Sequence, residues 1–285
     1  CKCGSQCAAD LQCDETNHCC PPSKVWDGSS CKTKYTFTIL FIQLRGKISD
    51  LNSKAELGKN IWVQLTTLKN CPEKVRAIAE TEKICDVPNQ QGLCSDDSQL
   101  QQEVFEGTMR NIEACIQNWG KENQEYLDAI RVVGVLPGNF VCTHGTGGIS
   151  GYTDIGIRYL VTAESYIRAT TSHEMGHTFG LCDEGYGNAP CSDCKGGICG
   201  YGMLLCCQPI SASTCITEHI NICRDPITGK TGQVSTEGAN DCPNAPEQNS
   251  IMCTSNPCGR GCSRGSQFAS TSYAHLETEL NRFCR

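Results

Sequence analysis

The 285-residue chain has no apolar run long enough to span a membrane, no cluster of lysine and arginine, and few aromatic residues (6%). Its longest apolar stretch, YTFTILFIQL from Tyr35 to Leu44, is about half of the roughly 20 residues a bilayer crossing needs, and it alternates like a strand. No transmembrane segment is expected. A net charge of −7 and a pI near 5.4 leave no basic surface for a phosphate backbone, which excludes nucleic acid as a partner. With 39% hydrophobic and 19% charged residues the chain is a folded one, with room for a large domain and an appendage. A secretory leader is also missing, and the first residue is Cys1 rather than methionine, which reads as a mature or trimmed form.

What abounds is cysteine, with 25 residues. Thiols at this density do not persist in a reducing cytosol, so a disulfide framework is expected, in a protein that is secreted or held at the cell surface. The odd number leaves at least one thiol without an intramolecular partner, and Cys1 is the simplest candidate. Residues 1–33 hold seven cysteines and few large apolar side chains, so they form a small disulfide-rich N-terminal module, read as a rigid cap. Its CDETNHCCP stretch resembles half of a granulin-type hairpin stack.

From residue 34 to 285 one larger domain of the α/β (α+β) class is expected, an upper sheet-and-helix part to about 184 and a cysteine-rich lower part beyond. Tyr35–Leu44 is the first strand. Residues 49–68 read as a helix with Ala55, Ile61, Trp62, Leu65 and Leu68 on one face, and Ser53 and Glu56 stand at capping-box spacing. Residues 99–119 repeat the helical pattern through Val104, Thr108, Ile112, Cys115 and Trp119. AIRVVGVLPG (129–138) is a second strand stopped by Pro137 and Gly138, and 151–163 holds one or two more. Strands alternating with helices imply a mixed sheet with packed helices. Between 185 and 262, eleven cysteines among Gly, Pro, Ser and Asn predict a loop-dominated, disulfide-pinned region. Within it Cys191, Cys194 and Cys199 are more simply disulfide halves than zinc ligands. A helix returns at the C-terminus with Tyr273, Leu276, Leu280 and Phe283 on one stripe.

The chemistry is concentrated in HEMGHTFGLCDE, residues 173–184. Histidines at i and i+4 of a helix project from one face, one turn apart, so His173 and His177 can reach a single ion, and zinc suits neutral imidazole. Glu174 lies about 100° round the same turn, a place from which a carboxylate serves as general base without being a ligand. Gly180 can turn the chain back toward the ion by adopting a left-handed conformation. Asp183 follows that turn and ranks first as third ligand. Its neighbour Glu184 is the alternative ligand or a partner that hydrogen-bonds a histidine, and His144 and His219 are remoter competitors.

This stretch resembles the metzincin clan of zinc metallopeptidases, in the variant with the HExxHxxGxxD(E) motif. It is similar also to the H-E-x-G-H…D-E signature of some archaeal and bacterial metallopeptidases. NSIMCTS, residues 249–255, resembles the clan's Met-turn, in which Met252 would form an apolar floor under the zinc. Most members of the clan have histidine where Asp183 stands, and no tyrosine follows Met252 closely enough to act as a switching ligand. The resemblance implies a metzincin-like twisted mixed sheet, an active-site helix and one catalytic Zn2+ on His173, His177 and Asp183. The function it implies is hydrolysis of peptide bonds in an extracellular protein or peptide, with Glu174 as general base. Substrate would add to an edge strand within 147–163. Two other readings stay open: a secreted adhesive or binding protein with a structural zinc, and a zinc amidase acting on cell-wall or glycan components. Nothing in the sequence sets the oligomeric state.

Overall fold

The strand expected at Tyr35–Leu44 is present as β1 (Phe37–Leu44), and all eight of its residues are buried. Such a strand must be covered on both faces. Phe37, Ile39 and Phe41 enter one apolar cluster, and Leu40, Ile42 and Leu44 enter another on the opposite side. The computed structural model describes residues 7, 11–13, 17–20, 24–26, 29, 31–33, 36–144, 147–154, 156–181, 208–209, 220–224, 231–235, 251–252, 267–268 and 270–284.

After β1 come α1 (Leu51–Leu65), β2 (Val75–Cys85), α2 (Ser98–Gly120), β3 (Arg131–Leu136), β4 (Gly151–Thr153), β5 (Tyr159–Ala163), α3 (Ile167–Thr178) and, at the C-terminus, α4 (Ser270–Leu280). The five strands form one mixed sheet in the order β4-β5-β3-β1-β2. β2, β1, β3 and β5 are mutually parallel, while β4 runs antiparallel to β5 with Gly151 opposite Thr162. Helices α1, α3 and α4 share one apolar cluster through Trp62, Met175 and Leu276, and α2 covers the other face through Val104, Phe105, Ile112 and Ile116. The fold class is therefore the mixed α/β one that the sequence predicts. Burying each of these large side chains contributes about 1.5–3 kcal/mol, so the helices are held by the sheet rather than by intrinsic propensity.

Local details differ from expectation. α1 begins at Leu51, which is buried, so Ser53 and Glu56 lie inside the helix and no side chain caps it. The core contact of Leu51 has overridden the capping signal. α2 does have a side-chain cap, Asp97, whose carboxylate accepts from the N–H groups of Gln99 and Leu100, a device worth about 1 kcal/mol. In the cysteine-rich region read as loop-dominated, Gln208–Pro209, Ile220–Arg224 and Thr231–Ser235 form a three-stranded antiparallel sheet. In the N-terminal stretch, Gln12–Cys13 pairs with Cys19–Cys20 and Lys24–Trp26 with Cys31–Thr33, giving two small hairpins. Disulfides Cys7–Cys19 and Cys20–Cys31 staple them, while Cys71–Cys284, Cys85–Cys115 and Cys94–Cys142 staple the larger part.

β2, which the sequence reading missed, is the far edge of the sheet. Its register against β1 jumps from Ile42↔Glu80 to Gln43↔Ile84, so residues 81–83 bulge outward. The buried Glu80 carboxylate closes this bulge, accepting from Tyr126 Oη at 2.8 Å and from the N–H groups of Glu82 and Lys83 at 2.7 and 3.0 Å. Burial opposes the charge of Glu80, but these donors and the Lys83 ammonium outweigh it and hold its pKa below the ordinary carboxylate value. Burial and the neighbouring Glu80 push the Tyr126 phenol up to about 12. A depressed carboxylate pKa contributes stability above the unfolded-state value and loses it as the pH falls through the folded-state value. Glu80→Gln is accordingly expected to cost about 1–3 kcal/mol at neutral pH. Urea denaturation at stepped pH should show the gap to the parent protein closing below about pH 4. A gap of constant size across that range would rule out the ionised role of Glu80.

Candidate metal centre

Helix α3 carries the HEMGH sequence, and most of its polar residues are turned away from water, with His177 half-buried. Ser172, His173 and Glu174 are only 1%, 5% and 5% exposed. A solvated helix that chanced to contain two histidines would expose them. Ile167 and Met175 anchor α3 in the apolar cluster shared with α1 and α4. Gly176 lets residues 251–252 pack beneath the helix, since a methyl group in its place would lie 2.5 Å from Met252 Sδ.

Each imidazole is oriented by a backbone carbonyl: His173 Nδ1 lies 2.8 Å from Ile251 O, and His177 Nδ1 lies 2.8 Å from Leu181 O. A carbonyl oxygen only accepts, so each Nδ1 carries a hydrogen, which in the neutral ring leaves the lone pair on Nε2. The two Nε2 atoms face each other at 3.2 Å. Opposed lone pairs repel unless a cation or proton stands near both. One ligand atom from each of His173, Glu174 and His177 lies within 4.8 Å of the others. Neutral imidazole nitrogens, locked in tautomer by backbone acceptors and grouped with a carboxylate, are the donor chemistry that zinc takes. The residues present therefore fit such an ion.

The C-terminal end of α3 is buried, and its carbonyls must all find partners. Gly180, at φ +93°, forms the expected left-handed turn, with Gly180 N–H donating to His177 O at 2.9 Å and Leu181 N–H to Gly176 O at 3.1 Å, a Schellman closure. Gly156 N–H donates to His177 O as well, at 2.9 Å. Thr178 O accepts from Arg131 Nη2 at 3.0 Å, and Thr178 Oγ1 accepts from Arg131 Nε at 2.7 Å. Phe179 O accepts from His275 Nε2 at 2.7 Å, and the Arg131 guanidinium lies 3.8 Å above the Phe179 ring. Burial, then repulsion by Arg282 and Arg158, lowers the pKa of Arg131 to about 10, with Glu279 acting the other way. It stays protonated at neutral pH, a cation at the negative end of a helix.

Strand β4 is the sheet edge nearest this helix. At Gly151 a methyl group would come within 2.3 Å of Thr170 Cγ2 and 2.7 Å of Val161 O, and 3.3 Å from Glu174 Cγ. Only glycine lets β4 lie this close to α3, so the edge runs directly past Glu174.

Of the residues singled out in the sequence, His173, Glu174 and His177 come together, and Met252 packs under their helix. Asp183 and Glu184 lie outside the described residues, as do Cys191, Cys194, Cys199 and His219. His144 ends the first strand of a hairpin, Cys142–His144 with Gly147–Ile149, that precedes β4. Sequence reasoning missed Arg131, His275 and the close approach at Gly151. The only local signals are an arginine opening an apolar strand and a glycine opening an edge strand.

No family model matches the chain, and no curated protein matches it. Among solved structures the chain is similar to an archaemetzincin from Methanopyrus kandleri, at 12% identity over 86% of this chain and 96% of that one, with a TM-score of 0.41. It is similar also to metalloproteinase-II from Bacteroides fragilis, at 13% identity over 68% of this chain and 58% of that one, with a TM-score of 0.30. At scores this low neither likeness decides what this chain does, which rests on its own side chains.

Proposed function

We propose that the protein is a secreted zinc-dependent endopeptidase. The observation that carries this reading is the pair of inward-facing Nε2 atoms of His173 and His177, 3.2 Å apart, with the buried Glu174 carboxylate beside them. His173 and His177 would hold the ion, with Asp183 as third ligand and Glu184 as the alternative. Met252, under the helix, would act as the Met-turn methionine. What zinc supplies when bound there is Lewis acidity toward the scissile carbonyl and a more acidic attacking water. Glu174 takes the proton from that water and passes it to the departing amine. The substrate backbone adds to the edge strand β4, which Gly151 brings close to Glu174.

Secretion is supported by the five disulfides traced above. Among the described residues no helix is long and apolar enough to cross a membrane. In the same reading residues 1–33 are a separate stapled module and 34–285 the peptidase domain. Incubating the protein with a mixed peptide library, with and without a chelator, is expected to give internal cleavages that disappear on metal removal and return with Zn2+. Tight zinc binding without cleavage would turn the reading toward an adhesive protein with a structural ion. Cleavage of cell-wall or glycan amides alone would turn it toward an amidase.

A further inference from the structure

Arg131 and His275 are far apart in sequence, one on β3 near the middle of the chain and one on α4 near its C-terminus, yet they donate to consecutive carbonyls at the end of α3. Those carbonyls, on Thr178 and Phe179, directly follow His177 and precede the Gly180 turn. The turn in turn places Leu181 O, which fixes the His177 imidazole through Nδ1. Arg131 also bridges Thr178 Oγ1, which itself donates to Met175 O at 2.7 Å, so the last turn of the helix is cross-linked from within and without. Neither Arg131 nor His275 belongs to the group of possible ligand atoms.

We propose that Arg131 and His275 are positioning residues that clamp the Thr178–Phe179 end of α3 and thereby hold the His177 imidazole in its metal-binding orientation. This rests on the zinc-centre reading above. α4 is part of the clamp because Cys71–Cys284 ties the chain just beyond it to the segment after α1. Loss of either donor leaves a buried helix-end carbonyl unpaired and frees the turn that aims His177. Partners that hydrogen-bond a ligand directly typically alter metal affinity about 10- to 100-fold, and Arg131 and His275, acting one link further out through the backbone, are expected at the lower end of that range.

The test uses the full chain and two probes, Zn2+ in chelator competition and Co2+ for its visible spectrum. His275→Phe and Arg131→Met are expected to weaken Zn2+ binding about tenfold and to shift the Co2+ bands. His275→Gln, which keeps a donor for Phe179 O, should retain the parent affinity and spectrum. Glu80→Gln, which unsettles the far edge of the sheet, should lower stability without moving either readout. Should Arg131→Met fail to fold, His275→Phe and its glutamine rescue still decide the matter. Unchanged affinity and spectrum in His275→Phe would overturn the proposal, as would an equal loss in Glu80→Gln. A parent protein that takes up neither ion would instead remove the zinc reading itself.

Discussion

Glu174→Gln is expected to retain its full complement of zinc and its thermal midpoint while losing about 10²- to 10⁴-fold in kcat/KM on a cleaved peptide. Such a loss corresponds to about 3–5 kcal/mol of transition-state stabilisation. Glutamine keeps the volume of a side chain that is 5% exposed, so α3 and its packing against Met252 are undisturbed. The bonds that orient the histidines run to Ile251 O and Leu181 O, and neither involves Glu174. What glutamine removes is the capacity to accept a proton. Metal content by atomic absorption and steady-state kinetics on the same sample separate the two effects. Turnover equal to that of the parent would deny Glu174 its role as base.

The second large effect concerns the third ligand. Two imidazoles hold zinc weakly, because tetrahedral sites use at least three protein ligands. The chain turns at Gly180, three residues before Asp183. Asp183→Ala should lose zinc at concentrations of chelator that the parent resists, with activity falling in proportion to metal content. Glu184→Ala should keep its zinc if it only hydrogen-bonds nearby. The reverse pattern, zinc lost from Glu184→Ala and kept by Asp183→Ala, would move the ligand by one residue. Such a result would leave the roles of His173, Glu174 and His177 in place.

Much of the architecture could be read directly from periodicity. The apolar run at 35–44 became β1, the stripe through Val104, Thr108 and Ile112 became the buried face of α2, and Leu276 and Leu280 became the core contact of α4. In each case the contact that forms the element is local in sequence, and a period of 2 or 3.6 records it. β2 escaped because an edge strand with a charged bulge interrupts its own alternation at Glu80–Lys83. The capping signal at Ser53 misled because one buried leucine outweighs a hydroxyl in choosing where α1 begins.

At the candidate site the division is sharper. The spacing of His173, Glu174, His177 and Gly180 was legible because the geometry of a single helix and its closing turn prescribes it. The amino-acid sequence alone thus determined which groups can meet on α3. Only the tertiary structure decided that this polar face is buried, that Ile251 O and Leu181 O choose the tautomers, and that Arg131 and His275 close the end of the helix. Those contacts join residues 47 to 96 positions apart, with the single exception of Leu181. Hydrogen bonds over such separations leave no periodic trace in a sequence, since they depend on how the sheet stacks its helices and not on any repeat along the chain.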